Sequence, residues 1–370
     1  MKKTSSNDEY WMTVALILAA EGIGLTRPNP PVGAVVVRNN RIAGMGFHPK
    51  AGQPHAEIFA LDDAGIRARG ATIYVTLEPC CTFGRTPPCT DAIIKSGIKR
   101  VVYGCVDPNP DHSGKADHIL KRAGIRITRN VLRDECSEII APFQMRIRKH
   151  RPYITLKLAC SLDGRIADAD GTSKWITGKE ARKTVHQLRR TADGIMVGAE
   201  TVRKDNPSLL PKPAHGRQPL RIVLAGKKQL PVNARLFTDQ HASRTIVFAA
   251  TGQEVLRQKT AIEKNGAKLV VVPSRNGNVS IPAVLKILAE MNCMHVVCEG
   301  GGQIASALLK EKSVDKLFMY YAPVILGGRA KLSVGGPGWK LDKAPACDIQ
   351  SIEKIGSDIL IVALPRSQRP

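Results

Sequence analysis

Aromatic residues make up only 4% of this chain, too few to furnish a base-stacking surface for single-stranded nucleic acid. No run of about 18 apolar residues occurs, so nothing is expected to span a membrane. Met1 to Asp8 is polar and lacks the apolar core of a signal peptide. The nine cysteines are odd in number and irregularly spread, which fits a reducing, cytoplasmic setting better than a disulfide framework. The Gly-x-Gly-x-x-Gly spacing of a standard dinucleotide fold is missing, and so is any internal repeat. There is no long basic block either, although the formal charge is +23. Residues 1–146 carry 19 Lys and Arg against 14 Asp and Glu, a net of +5; the remainder carry 36 against 18, a net of +18. The excess therefore sits in the second part, where it suits the phosphates of a small substrate or a dinucleotide as well as it suits nucleic acid.

What is present is an ordinary globular composition, 43% apolar and 24% charged, over 370 residues, enough for two or three domains. One stretch stands out: His55-Ala56-Glu57, completed by Pro79-Cys80 and by Cys89. One imidazole and two thiolates suit Zn²⁺, and three ligands leave a fourth tetrahedral position open, as a catalytic site requires. Glu57 is near enough to move protons without ligating. His-x-Glu with Pro-Cys and a later Cys is the zinc deaminase pattern, except that eight residues, not two, separate these cysteines. Two alternatives stay open: structural zinc with Cys81 as a fourth ligand, or reduced core cysteines around a packed histidine. Pro54 suits the first turn of a helix over 55–64. A buried strand over 71–77 delivers Cys80, and a helix over 90–96 follows Cys89. The metal then lies between two helix N-termini, whose unpaired N–H groups favour thiolates.

The remaining pattern alternates strands and helices, which predicts a sheet covered on both faces. A first helix over 10–20, a hairpin of strands 32–37 and 42–47 around Asn39-Asn40, a strand over 100–106, a helix over 115–123, a strand over 125–128 and a helix over 134–144 complete one unit. The basic connector Arg146 to Arg151 marks the boundary, giving domains 1–147 and 148–370. In the second, strands are expected over 153–159, 192–197, 220–224, 245–249, 268–272, 295–298, 314–326 and 358–363. Helices are expected over 179–190, opened by a Thr177/Glu180 capping box, and over 252–264 and 281–291. After His295 to Cys298 comes Glu299-Gly300-Gly301-Gly302-Gln303 and a helix to about Lys310, a turn that lets backbone and helix N–H groups approach a phosphate.

Here the sequence resembles the bifunctional riboflavin-biosynthesis deaminase/reductase family over residues 8–365. The first half carries Thr26-Arg27-Pro28-Asn29-Pro30-Pro31-Val32-Gly33, His55-Ala56-Glu57, Thr76-Leu77-Glu78-Pro79-Cys80, Gly84-Arg85-Thr86-Pro87-Pro88-Cys89 and Asp107-Pro108-Asn109-Pro110. The second carries Lys157 to Arg165, Ser173 to Gly178, Asp205-Asn206-Pro207-Ser208-Leu209, Glu299-Gly300-Gly301 and Ala322-Pro323 to Gly327-Gly328. The long Cys80–Cys89 interval is the family's own form. The resemblance implies an N-terminal cytidine-deaminase-like α/β/α domain followed by a dihydrofolate-reductase-like α/β domain. It implies one Zn²⁺, held by His55, Cys80 and Cys89 with Glu57 catalytic, and NADPH in the second domain. The substrate it implies is 2,5-diamino-6-(5-phosphoribosylamino)pyrimidin-4(3H)-one, deaminated first and then reduced from ribosyl to ribityl.

By the same resemblance, deaminase substrate contacts map to Asn29, His48, Arg85, Asp107 and Asn109. Cofactor contacts map to Ala159, Trp175, Thr201, Asp205, Gly226, Gly301, Gly302, Gln303, Ile304, Ala305, Ser306 and Ala307. Reductase substrate contacts map to Ser173, Arg189, Leu209, Lys212 and Glu299, with Arg189 the leading phosphate partner. A homo-oligomer acting on phosphorylated pyrimidines, without nucleic acid or membrane, is expected. The chain departs from the family at Thr82, where a substrate-binding histidine is usual, and at Lys212, near a substrate arginine. It also departs at Ala225 and Gly226 and at His112-Ser113-Gly114-Lys115-Ala116. Among single residues, Asp163 reads equally as a turn or a substrate neighbour, and His186 and His295 read as surface or packing residues. A nucleic-acid base deaminase and a zinc-stabilised binding module are the rival readings. The complete second domain opposes the first, and a three-ligand site beside Glu57 opposes the second.

Overall fold

The computed structural model describes residues 6–83, 87–214, 216–275 and 277–366. The chain divides into two compact units, one ending at His150 and one beginning at Arg151. Among the described residues no helix is long and apolar enough to cross a membrane.

In the first unit, α1 (Ser6–Glu21) precedes the hairpin β1 (Gly33–Arg38) and β2 (Arg41–Phe47). Asn39 and Asn40 both have positive φ, 52° and 57°, the backbone a tight two-residue hairpin turn needs and one that asparagine tolerates. There follow α2 (Ala56–Ala64), β3 (Thr72–Leu77), α3 (Cys89–Lys95), β4 (Arg100–Cys105), α4 (Lys115–Arg122) and β5 (Arg126–Arg129). The sheet order is β2-β1-β3-β4-β5, with β3, β4 and β5 parallel and β1 antiparallel to both its neighbours. Two glycines let helices approach its two faces. A Cβ on Gly33 would strike the Ala15 carbonyl of α1, and one on Gly44 would strike the Ala60 carbonyl of α2. The single helix expected over 134–144 is two, α5 (Arg133–Ile139) and α6 (Ala141–Lys149). Pro142 explains the break: it lacks an N–H to continue α5 but suits the first turn of α6.

The second unit runs β6 (Tyr153–Ser161), β7 (Arg165–Ala167), α7 (Lys179–Thr191), β8 (Gly194–Gly198), α8 (Ala199–Asp205) and β9 (Leu220–Leu224). It continues with α9 (Arg235–Thr238), β10 (Thr245–Ala250), α10 (Lys259–Glu263), β11 (Lys268–Val272), β12 (Ser274–Arg275) and β13 (Asn278–Val279). Then come α11 (Ile281–Glu290), β14 (His295–Cys298), α12 (Gly302–Lys310), β15 (Lys316–Ala322), β16 (Lys331–Leu332), β17 (Cys347–Ile355) and β18 (Asp358–Pro365). Nine strands form one sheet in the order β11-β10-β9-β8-β14-β6-β15-β18-β17, parallel as far as β15 and antiparallel beyond. Its central strands read as continuous apolar runs because both faces are covered: Met196 packs into one cluster, Ile195 and Val197 into another.

Further expectations are corrected. The strand expected over 314–326 stops at Ala322, before Pro323, which cannot donate to a ladder. The helix over 252–264 is a 3₁₀ turn, Glu254–Gln258, followed by the short α10. Gly178 rather than Thr177 caps α7, and no side-chain capping bond forms; instead the Gly178 N–H donates to Asp358 Oδ2 at 2.7 Å. The edge strand β17 was not expected, being mostly polar with only isolated apolar positions.

Candidate functional site

The ends of β3, α2 and α3 build the first site. His55 occupies the N-cap of α2, Cys89 opens α3 after Pro88, and Cys80 follows β3 through Glu78-Pro79. His55 Nδ1 lies 3.3 Å from Cys89 Sγ and 3.5 Å from Cys80 Sγ, and the three ligand atoms lie within 4.8 Å of one another. Two ligands at tetrahedral Zn–N and Zn–S bond lengths stand about 3.6 Å apart. The donor set and its spacing therefore fit a metal. Cys81 does not join them: its Sγ faces the His112 carbonyl oxygen at 3.9 Å, which removes the alternative of structural zinc with Cys81 as a fourth ligand.

The titratable groups of the cluster perturb one another strongly. Cys80 is lowered to about 4, chiefly by the thiol of Cys89, while Cys89 is raised by sharing its proton with Cys80. The Cys89 N–H also donates to Cys80 Sγ at 3.3 Å. His55 is raised to about 9, first by its bond with Cys80. Glu57 is buried, and that burial pushes its carboxyl up to about 7. A metal ion reverses this logic and displaces the protons.

Around the cluster, the Asn29 side-chain amide donates to His48 Nε2 at 3.1 Å. His48 Nδ1 donates to the Pro54 carbonyl at 3.0 Å, and burial lowers its pKa, so a neutral imidazole fits both bonds. Asp107 Oδ1 accepts the Asn109 N–H at 2.8 Å. Glu78, unassigned from the sequence, fixes this loop: its buried carboxylate accepts N–H groups from Asp107, Gly114 and Ala116. Thr82 Oγ1 meets His112 Nδ1 at 3.2 Å, so the two departures from the family pattern touch each other. Arg85 lies outside the described residues.

The second unit holds a cleft of ≈2010 Å³. That exceeds the roughly 300–1,000 Å³ of an ordinary small-ligand pocket and leaves room for two ligands. Of the expected residues, Ala159, Ser173, Trp175, Arg189, Thr201, Asp205, Leu209, Lys212, Gly226 and Glu299 line it. So do Gly301, Gly302, Gln303, Ile304, Ser306 and Ala307. Ala305 does not; it is wholly buried on the core-facing side of α12. Thr201 and Asp205 share one face of α8, as their spacing of four suggests. Trp175 is 70% exposed, with the Arg182 guanidinium 4.5 Å from its ring centroid.

The glycine turn divides its labour. A Cβ on Gly301 would meet nothing closer than Ile166 at 3.8 Å, whereas one on Gly302 would lie 2.5 Å from the Leu332 carbonyl. Gly301 thus opens onto the cleft and Gly302 admits the neighbouring chain segment. Arg189, expected at a phosphate, is instead forked onto Glu299: Nε donates to Oε1 at 2.7 Å and Nη2 to Oε2 at 2.8 Å. Its Nη1 donates to the Leu210 carbonyl at 3.0 Å.

Two further cleft residues carry titratable groups, Lys157 unassigned from the sequence and His186 read otherwise. Lys157 has its ammonium lowered by burial and lies in the field of Glu299, with a ring contact to Tyr320 at 5.7 Å. His186, taken as surface or packing, lines the cleft with a buried, unpartnered Nδ1. His295 packs as expected, bonded to Thr155 at 2.9 Å. Asp163 is a turn residue, accepting the N–H groups of Leu326 and Gly327.

Comparison with known proteins follows the same division. Residues 5–105 match the cytidine and deoxycytidylate deaminase zinc-binding region, and residues 152–361 match the RibD C-terminal domain. The riboflavin biosynthesis protein RibD of Aquifex aeolicus is 42% identical over 96% of this chain and 97% of its own length. That of Escherichia coli K12 is 37% identical over 96% and 98%. A solved structure from Thermotoga maritima, a diaminohydroxyphosphoribosylaminopyrimidine deaminase/5-amino-6-(5-phosphoribosylamino)uracil reductase, is 38% identical. It superposes with a TM-score of 0.84 over 97% of this chain and 99% of its own. With both halves matched in order and at full length, the chain belongs to the RibD family of bifunctional riboflavin-biosynthesis deaminase/reductases.

Proposed function

We propose that the first unit hydrolyses the 2-amino group from 2,5-diamino-6-(5-phosphoribosylamino)pyrimidin-4(3H)-one, and that the second reduces the ribosyl group of the product to ribityl with NADPH. The observation that carries the reading is the His55, Cys80 and Cys89 cluster with a buried carboxyl, Glu57, beside it. His55, Cys80 and Cys89 would hold Zn²⁺, which when bound supplies a water acidified for attack on carbon. Glu57 takes up a proton and returns it to the departing amine, a task its buried position suits. Asn29, neutral His48, Asp107 and Asn109 orient the pyrimidine and its ribose through hydrogen bonds, and Arg85 joins them.

In the cleft of the second unit, Gly301, Gly302 and the start of α12 offer N–H groups to the cofactor's phosphates. Gly226, Gln303, Ile304, Ser306 and Ala307 accompany them. Ala159, Trp175, Thr201 and Asp205 place the nicotinamide end. Bound NADPH supplies the hydride, and the chain's part is to orient it and the sugar. Ser173, Leu209, Lys212 and the Arg189–Glu299 pair hold the sugar phosphate side, and Lys157 presents an ammonium able to give a proton. The enzyme is read as a cytoplasmic homo-oligomer. Absorbance of pyrimidine and of NADPH is to be followed in one reaction. Chelation should stop deamination while reduction of already deaminated substrate continues; loss of both rates together would refute the division of labour.

A further inference from the structure

Two lysines outside the residues assigned above meet at the lip of the second unit's cleft. Lys204 stands in the last turn of α8, and Lys331 opens β16, where it pairs with Ala167 of β7. Both line the cleft together with Gly171. Their ammonium groups converge over that glycine: a Cβ built on Gly171 would strike Lys204 Nζ and lie 3.2 Å from Lys331 Nζ. Gly171 is favoured here by its φ of +86°, which side-chain-bearing residues avoid, while the lysine ends above it could swing aside from a Cβ. A recess of ≈320 Å³ lies alongside, bounded by Asp170, Gly171, Thr172, Ser173, Lys174, Lys204 and Asp205.

An ammonium has three donors and no acceptor, so neither lysine can satisfy the other. Lys331 is correspondingly lowered by its contact with Lys204. Glu200 lies in the field of both lysines, but neither it nor Asp205 hydrogen-bonds either one. Glu200 accepts from Arg203 at 3.0 Å, and Asp205 accepts from Ser173 at 3.2 Å while its carbonyl takes Lys174 at 2.9 Å. Two donor-only cations brought together from different elements, beside a recess and without a carboxylate bridging them among the described residues, call for an anion rich in acceptor oxygens.

We propose that Lys204 and Lys331 form a paired-ammonium clamp for a phosphoryl group of a ligand in this cleft. The assignment deepens the reading that the cleft takes a phosphorylated cofactor and a phosphorylated substrate, and it rests on that reading for the ligand's identity. Neither lysine shares a partner with Arg189, so this phosphate position is separate from the Arg189–Glu299 corner.

The test uses the full chain and the Lys204→Gln/Lys331→Gln double variant. Calorimetric titration with inorganic pyrophosphate, NADPH, NADH and ribose 5-phosphate is the readout, and a thermal melt of the second unit is the folding control. Two charge-assisted hydrogen bonds are lost, so binding of the clamped ligand should weaken by at least about tenfold. The salt dependence of that affinity should also flatten. Weakening of NADPH and NADH alike assigns the pyrophosphate bridge, weakening of NADPH alone the 2′-phosphate, and weakening of ribose 5-phosphate alone the substrate. Arginine at both positions should restore binding. Wild-type binding of pyrophosphate without NADPH, lost in the variant, keeps the clamp and refutes the cofactor assignment. Unchanged affinity for all four probes in the double variant overturns the clamp while leaving the cofactor assignment intact.

Discussion

Glu299 and Arg189 offer the sharpest test of the second unit, because they form a forked ion pair whose members are only 10% and 14% exposed. Burial alone would raise the Glu299 carboxyl, but Arg189 outweighs it and holds the group at about 2, against an ordinary 4.5. By linkage, that difference corresponds to about 3 kcal/mol of stability at neutral pH. Independently, removing one partner of a buried pair typically costs about 3–5 kcal/mol, since the other charge is left without compensation. Glu299→Gln keeps the shape but puts an amide donor against the Arg189 fork. It should lower the melting temperature of the second unit by about 6–12 °C. The sign with pH follows from the depressed carboxyl. The contribution is complete above pH 4.5 and lost as pH falls through about 2, so the wild-type advantage should hold from pH 7 to 5 and shrink below. Differential scanning calorimetry across that range measures it. Removing both charges, with Glu299→Leu and Arg189→Met together, should cost less than Glu299→Gln alone. A double variant at least as damaged as the single one would refute the claim that an unpaired charge is the source.

The metal cluster was legible in the sequence because its chemistry is local. His55 and Glu57 are two apart at a helix start, and Pro79-Cys80 ends an apolar strand that could hardly be anything else. The β1–β2 hairpin was legible for a similar reason: Asn39-Asn40 between apolar runs names the turn, though not the register shift between Val36 and Val37. The Arg189–Glu299 pair was not. Each residue was assigned to substrate by resemblance, but 110 residues separate them, and only the pairing of β14 with β8 and the packing of α7 bring them together. Glu78 escaped because its partners are backbone N–H groups, which leave no sequence signature. The edge strand β17 escaped because Ile349 and Ile352 sit exposed among polar residues, so the alternation that marks a half-buried strand is absent. Pairing with β18, rather than burial, makes it a strand.

Glu57→Gln should retain the metal, measured by elemental analysis, and lose deamination by at least about 10²-fold; loss of metal together with activity would make Glu57 a ligand or a folding residue. Cys89→Ala should lose the metal itself, leaving reduction of deaminated substrate intact. His112→Ala removes the imidazole bonded to Thr82 and should raise the deaminase KM with little change in kcat, and an unchanged KM would place the pair outside the substrate's reach. The adjacent glycines of the α12 turn give the last contrast. Gly301→Val meets only Ile166 at 3.8 Å and directs a branched side chain into the cleft, so the unit should fold while NADPH binding weakens or reduction ceases. Gly302→Val drives its side chain to within 2.5 Å of the Leu332 carbonyl and 2.9 Å of the Gly335 nitrogen, backbone atoms that cannot rotate away. Its damage should therefore appear first in the melting temperature, and only through it in activity. Stopped-flow NADPH binding set beside thermal melts separates the two. If both variants melted normally and bound cofactor normally, the turn would be neither a phosphate cradle nor a packing contact.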